Sequence, residues 1–224
     1  MFDFLDLEQY DLFGAFWLTV QLTVFSAIGS LIWGTILAAM RVSPVPVMRA
    51  FGTFYVNIVR NTPLTLIIVG CAQLLAYTLS LTFWAETGSE SLVFRMAVLG
   101  FVLYTSTFVC EVVRSGINTV PVGQAEAARA LGLNFVQVLT LVVLPQAFRS
   151  VVAPLANVLI ALTKNTTVAA AIGVAEAATL MNTMIENEAE LVPIAAIFAG
   201  GFILLTLPTG LLLGWVAKRV AVKR

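Results

Sequence analysis

The chain has 224 residues, 60% of them hydrophobic and 11% charged, and its twelve basic and twelve acidic side chains cancel. Soluble domains carry about a quarter charged residues, so this much apolar sequence calls for a lipid solvent rather than a larger core. Histidine is absent, and Cys71 and Cys110 lie inside apolar runs at no zinc or redox spacing, so an intramembrane enzyme or metal centre has no residues to work with.

Residues 2–13 form a short outer segment, read as an interfacial helix. Its acids (Asp3, Asp6, Glu8, Asp11) leave no basic region ahead of the first apolar run, so a cleavable signal peptide is not expected. Crossing the hydrocarbon takes about 20 apolar helical residues. Residues 14–40 supply the first span, with Gln21 as interhelical glue. Residues 45–59 mix apolar residues with Arg49 and Asn57 and read as an amphipathic connector at the inner surface. Residues 63–84 supply the second span and 92–113 the third. Residues 150–181 are apolar but broken at Lys164-Asn165-Thr166-Thr167, and residues 193–217 form the last span. The expectation is an all-α polytopic membrane protein with five transmembrane helices in a single domain, residues 1–224.

Charge sets the orientation. With the N-terminus outside, Arg41, Arg49, Arg60, Arg114, Arg129, Arg149, Lys218, Arg219, Lys223 and Arg224 all fall inside and Arg95 alone falls outside. That satisfies the positive-inside rule and puts the C-terminus in the cytoplasm.

The loop at 115–148 is too long for a mere connector. Pro121 suits a helix start, residues 124–131 are rich in helix formers, and Gly132 suits the C′ position. A second helix fits 135–144, ending before Pro145. Ala125, Ala127, Ala128 and Ala130 allow close approach of another surface, while Glu126 and Arg129 brace the helix or reach a partner. On physics alone, a surface-lying hairpin without a partner fits equally well.

The spacing of Glu126-Ala127-Ala128, Gly132, Val142, Leu144 and Pro145 resembles the EAA loop of ABC importer permeases, with Val142 where Ile is usual. Arg60-Asn61-Thr62-Pro63-Leu64, Glu111-Val112-Val113-Arg114-Ser115-Gly116 and Lys164-Asn165-Thr166-Thr167 resemble the polar amino acid branch of that family, most of all its glutamate uptake permeases. Asn61 and Asn165 stand where Gly and Asp are commoner. The resemblance implies a type I importer permease fold in the cytoplasmic (inner) membrane. It implies that Glu126, Ala127, Ala128, Arg129 and Gly132 form a coupling helix docking an ABC ATPase dimer. It further implies a second permease subunit or a second copy, an extracytoplasmic solute-binding protein, and a polar amino acid substrate, with no nucleic acid partner. The chain has no Gly-Lys pair and hence no phosphate-binding P-loop. ATP and Mg²⁺ would therefore reside on the ATPase, and no cofactor is expected on this chain. Arginine, histidine or glutamine are alternative substrates, and an ion-coupled secondary transporter is an alternative mechanism.

An ionisable group inside a span defaults to a functional reading. Lys164 lies about 22 Å along a helix from Arg149, in the outer half. A broken polar segment there is tolerated where it lines a cavity, so Lys164, Asn165, Thr166, Thr167 and Glu176 are candidates for the substrate path. Alternatively, Lys164 braces the fold by pairing with Glu176 or backbone carbonyls. Glu111 and Arg114, three apart, form a helical ion pair, and Glu111 also meets Arg60, holding spans two and three together.

Overall fold

The computed structural model describes residues 9–86 and 88–220; the segment 2–13, expected as an interfacial helix, lies largely outside them. Among the described residues the architecture is entirely helical: α1 (Leu12–Val42), α2 (Pro46–Arg60), α3 (Leu64–Thr78), α4 (Glu90–Asn118), α5 (Val122–Ala130), α6 (Phe135–Ile172), α7 (Ala177–Glu188) and α8 (Leu191–Val220). Helices α1, α4, α6 and α8 are each long and apolar enough to span a membrane, and α2 with α3 makes a fifth candidate, bent by 104° at the Asn61-Thr62-Pro63 turn. Pro63 cannot donate to a helix ladder and forces its predecessor out of the helical region, which accounts for the bend.

Helix α1 packs along α4 on a stripe of small and hydroxyl residues: Thr19, Ser26, Ser30 and Gly34 are buried. A Cβ at Gly34 would meet Val109 Cβ at 2.6 Å and the Ser106 carbonyl at 2.7 Å, so the two backbones approach as closely as glycine permits. In lipid, where apolar side chains gain nothing by leaving solvent, such close contact is what holds helices together. Leu22, Ile68, Phe101, Leu162 and Ala169 then join α1, α3, α4 and α6 in one core. Near the chain start, Tyr10, Ala177, Met184, Ile194 and Phe198 join α7 and α8 in a second core.

Three expectations need correction. The second span was expected to run through residue 84, but the helix ends at Thr78 and residues 79–86 fold irregularly, with Ser80, Phe83 and Trp84 at positive φ. Arg95 donates to the Phe83 carbonyl and so ties this loop to α4. The second loop helix was expected to stop before Pro145, but α6 runs on through it. Its turns widen over Val138–Val143, which relieves the clash a proline ring makes with the carbonyl four residues earlier. Finally, the break expected at 164–167 comes later. The helix merely tightens at Thr166–Ile172 and stops at Gly173, whose φ of +82° ends it.

The alternation of spans brings the ends of α1, α4 and α8 to one end of the bundle together with α5. The starts of α1 and α4, the Gly173–Glu176 break and α7 gather at the other.

Candidate functional site

Helix α5 is a short, largely exposed element packed against the widened turns of α6. Pro121 precedes its first turn, and its C-terminus closes in a Schellman motif. In that motif Leu133 N–H donates to Ala128 O at 3.2 Å and Gly132 N–H donates to Arg129 O at 2.9 Å. Gly132 has φ +85°, the left-handed conformation that glycine alone adopts at little cost. Asn134 and Gln137 then form a reciprocal capping box that starts α6. Ala128 is buried against the widened turns of α6, while Glu126, Ala127, Arg129 and Ala130 face outward, flanked by Val122 and by Leu131, which is 84% exposed. Neither Glu126 nor Arg129 has an ion-pair partner among the described residues.

At the same end of the bundle, three guanidinium groups surround one carboxylate. Arg41, closing α1, donates to Glu111 at 2.5 Å; Arg60, closing α2, lies at 3.7 Å and Arg114 at 3.6 Å. The Glu111–Arg60 contact between spans two and three is present, and so is the helical Glu111–Arg114 pair. The nearest partner, Arg41, was not foreseen: it is 70 residues from Glu111 in sequence, and only the α1–α4 packing brings it there. Its side chain is 8% exposed and that of Glu111 27%, so this charge-assisted bond ties α1 to α4 in a partly buried place.

The broken span divides its candidate residues. Asn165 lines a cavity of about 250 Å³ between α4 and α6 with Tyr104, Thr105, Phe108, Asn157, Val158, Ala161 and Leu162. Asn157, Ala161 and Asn165 recur every four residues and so share one helix face. The lining contains two amides, a phenol and a hydroxyl but no charged side chain. Thr166 is buried and bonded to the Thr163 carbonyl, and Thr167 bonds to the Lys164 carbonyl, so both threonines serve the tightened turn. Lys164 is exposed on the single chain and makes no ion pair among the described residues, Glu176 included. The cavity's partners on α4 could have been suspected only from polar residues in span three, since nothing in their spacing singles them out.

Glu176 is fully buried and acts as the N-cap of α7: its carboxylate accepts from Thr179 N–H at 3.1 Å and lies 3.4 Å from Thr19 Oγ1. Thr19 Oγ1 in turn accepts from Ala177 N–H at 3.2 Å. The pair staples α7 to α1, and Glu176 lines neither the Asn165 cavity nor the one beside Val174 and Ala175. Gln21, expected to bridge helices, has no hydrogen-bond partner among the described residues and instead lines a second cavity near the break.

Comparison with known proteins agrees with this architecture. Residues 14–222 match the model of the family described as binding-protein-dependent transport system inner membrane component. The chain is 58% identical, over 94% of each protein, to the glutamate transport system permease protein GluC of Corynebacterium efficiens, and 56% identical over the same share to that of Corynebacterium glutamicum. It is 31% identical to a probable glutamine ABC transporter permease protein, GlnM, of Bacillus subtilis, over 92% of this chain and 91% of that one. The crystal structure of an amino acid ABC transporter with histidines superposes with a TM-score of 0.81 at 25% identity, covering 97% of this chain and 98% of that one. An inward-facing MetNI methionine transporter gives 0.73 at 16% identity over 94% and 96%, a likeness of fold. This chain belongs to the inner-membrane permeases of binding-protein-dependent ABC importers, as a non-catalytic membrane subunit whose ATP is hydrolysed by a separate ATPase.

Proposed function

We propose that this chain is the permease subunit through which an ABC importer moves glutamate across the cytoplasmic membrane, as one domain with its N-terminus outside and its C-terminus inside. The observation that carries the substrate is the 58% identity, over nearly the whole chain, to a permease named for glutamate transport. The cavity beside Asn165 supports it, because its lining of amides and hydroxyls offers hydrogen bonds and no carboxylate to repel an anion. Asn165 stands at the cavity wall, with Lys164 one residue away to attract negative charge.

Helix α5 is the coupling element. Its outward side chains Glu126, Ala127, Arg129 and Ala130 meet the ATPase, and the Schellman turn at Gly132 holds their orientation. ATP and Mg²⁺ bind on that partner, and the pore is completed by a second permease subunit or a second copy. A solute-binding protein delivers the amino acid at the opposite end. Closure of the ATPases moves α5 and rocks the spans from inward-open to outward-open. The Arg41–Glu111 bond and the Thr19–Glu176 staple keep α1 attached to α4 and α7 during that motion.

The test is reconstitution of the permease with its ATPase, binding protein and second permease subunit in proteoliposomes containing ATP. Labelled L-glutamate should accumulate, persist in the presence of an uncoupler and stop when ATP is omitted. Accumulation that collapses with the uncoupler would favour an ion-coupled carrier. Preferential uptake of glutamine, arginine or histidine would replace the substrate while keeping the machinery.

A further inference from the structure

At the end of the bundle remote from α5, a cavity of about 280 Å³ opens between the first half of α1, the start of α4 and the break in the fourth span. Its polar lining consists of Gln21, Glu90, Ser91 and the backbone of Gly173–Ala175. No lysine or arginine lines it, and Glu90 has no ion-pair partner among the described residues. The break supplies further acceptors. The Val174 carbonyl is taken by Glu176 N–H at 2.8 Å and Thr179 Oγ1–H at 2.5 Å. The Gly173 and Ala175 carbonyls take no backbone hydrogen bond among the described residues, and both residues are exposed. The last turn of α6 ends at Ile172 beside this cavity and brings a negative helix pole, opposed by the positive pole at the start of α4, where Glu90 sits, so the cavity's net charge rests on the Glu90 carboxylate.

Irregular backbone at membrane depth is stable where it lines a cavity, and unwound carbonyls at a broken helix are suited to a cation. A carboxylate, an amide, a hydroxyl and two carbonyls without a described backbone partner, with no basic side chain in the lining, are the groups that suit a monovalent cation with several hydrogen-bond donors. We propose that this cavity binds the primary ammonium group of the amino acid substrate as it leaves the binding protein, before it reaches the Asn165 cavity. The inference rests on reading the chain as an amino acid permease and names a subsite of that path. The Glu90 carboxylate receives the ammonium, and the Gln21 amide, on the facing helix, orients the substrate.

The test uses the complete transporter in nanodiscs, with the binding protein omitted, and equilibrium binding of L-glutamate and of glutarate, which has the same two carboxylates and no ammonium. Wild type should bind glutamate at least about tenfold more tightly than glutarate. Glu90→Gln should weaken glutamate by about tenfold and leave glutarate unchanged. Unchanged glutamate binding, or an equal loss for both ligands, would overturn the assignment. Binding of Na⁺ or K⁺ that Glu90→Gln abolishes without altering glutamate would overturn it in favour of an inorganic cation. Should Glu90→Gln fail to assemble, judged by size-exclusion elution, Gln21→Leu carries the same comparison. If the transporter takes a different amino acid, that substrate and its deaminated analogue replace the pair. The substrate reading then fails, while the ammonium site is still decided by the ratio of the two affinities.

Discussion

The C-terminus of α5 offers the sharpest separation between folding and energy coupling, at Gly132. An alanine there meets nothing within 4 Å but must hold φ near +85°. That left-handed conformation costs an L-residue about 1–2 kcal/mol, a factor of about 5 to 30 in the population of the closed helix end. A proline is worse for two reasons. Its ring fixes φ near −65°, and it lacks the N–H that Gly132 donates to Arg129 at 2.9 Å. Both bonds of the Schellman motif then go, at about 1 kcal/mol each, on top of the backbone mismatch. Because Gly132 is exposed and remote from the packed spans, insertion and detergent stability should hardly change. The assay is ATPase activity stimulated by loaded binding protein, with substrate uptake, at matched amounts of inserted permease. Gly132→Ala should lose activity a few-fold, Gly132→Pro should fall to background, and Gly200→Ala, where a Cβ also meets nothing within 4 Å, should match wild type. Full stimulation in Gly132→Pro would refute the claim that this helix end transmits the ATPase's movement.

Glu111→Gln removes the carboxylate from a nearly buried Arg41, and about 1–3 kcal/mol of stability should be lost, a buried-pair cost discounted for Glu111's 27% exposure. Arg60→Gln and Arg114→Gln, at longer range and about 40% exposed, should each cost under about 1 kcal/mol; thermal melting in detergent reads both. Gly34→Leu should separate α1 from α4, because even a Cβ there lies 2.6 Å from Val109, and the measured outcome is a lower yield of monodisperse protein. Asn165→Asp places a like charge in the cavity with an anionic substrate. At about 4 Å this costs about 1–4 kcal/mol, so glutamate uptake should drop at least about fivefold while uptake of a neutral analogue is spared. Glu126→Lys, an exposed change on α5, should leave stability within about 0.5 kcal/mol and abolish uptake; a wild-type uptake rate would exclude Glu126 from the coupling surface.

The spans were legible because a membrane imposes one dominant rule, length of apolar run, and α1, α4, α6 and α8 obey it. The α5 turn was legible too, since the left-handed Gly132 and the helix-starting Pro121 act locally. Where tertiary packing decides, the sequence was mute. Residues 79–84 carry no charge and continue the apolar run, yet they leave the helix, and Trp84 stands 97% exposed. Pro145 carries a helix-stop signal that widened turns override. The break was sought at the polar Lys164–Thr167 run, whereas its local marks are Gly173 and the capping Glu176. Arg41 and the α4 wall of the Asn165 cavity depend on which helices touch, and hydropathy does not encode that.

The proposed coupling depends on α5 being the surface that the ATPase grips. Cys71 and Cys110 are buried, so a cysteine introduced at the exposed Leu131 would dominate reaction with a short bifunctional thiol reagent. In the assembled transporter, Leu131→Cys should cross-link to a cysteine placed in the facing groove of the ATPase, with a yield that changes between nucleotide-free and ATP-trapped states. A residue-131 thiol that never reaches the ATPase, and is instead modified by membrane-impermeant reagent added outside intact cells, would contradict both the orientation and the mechanism.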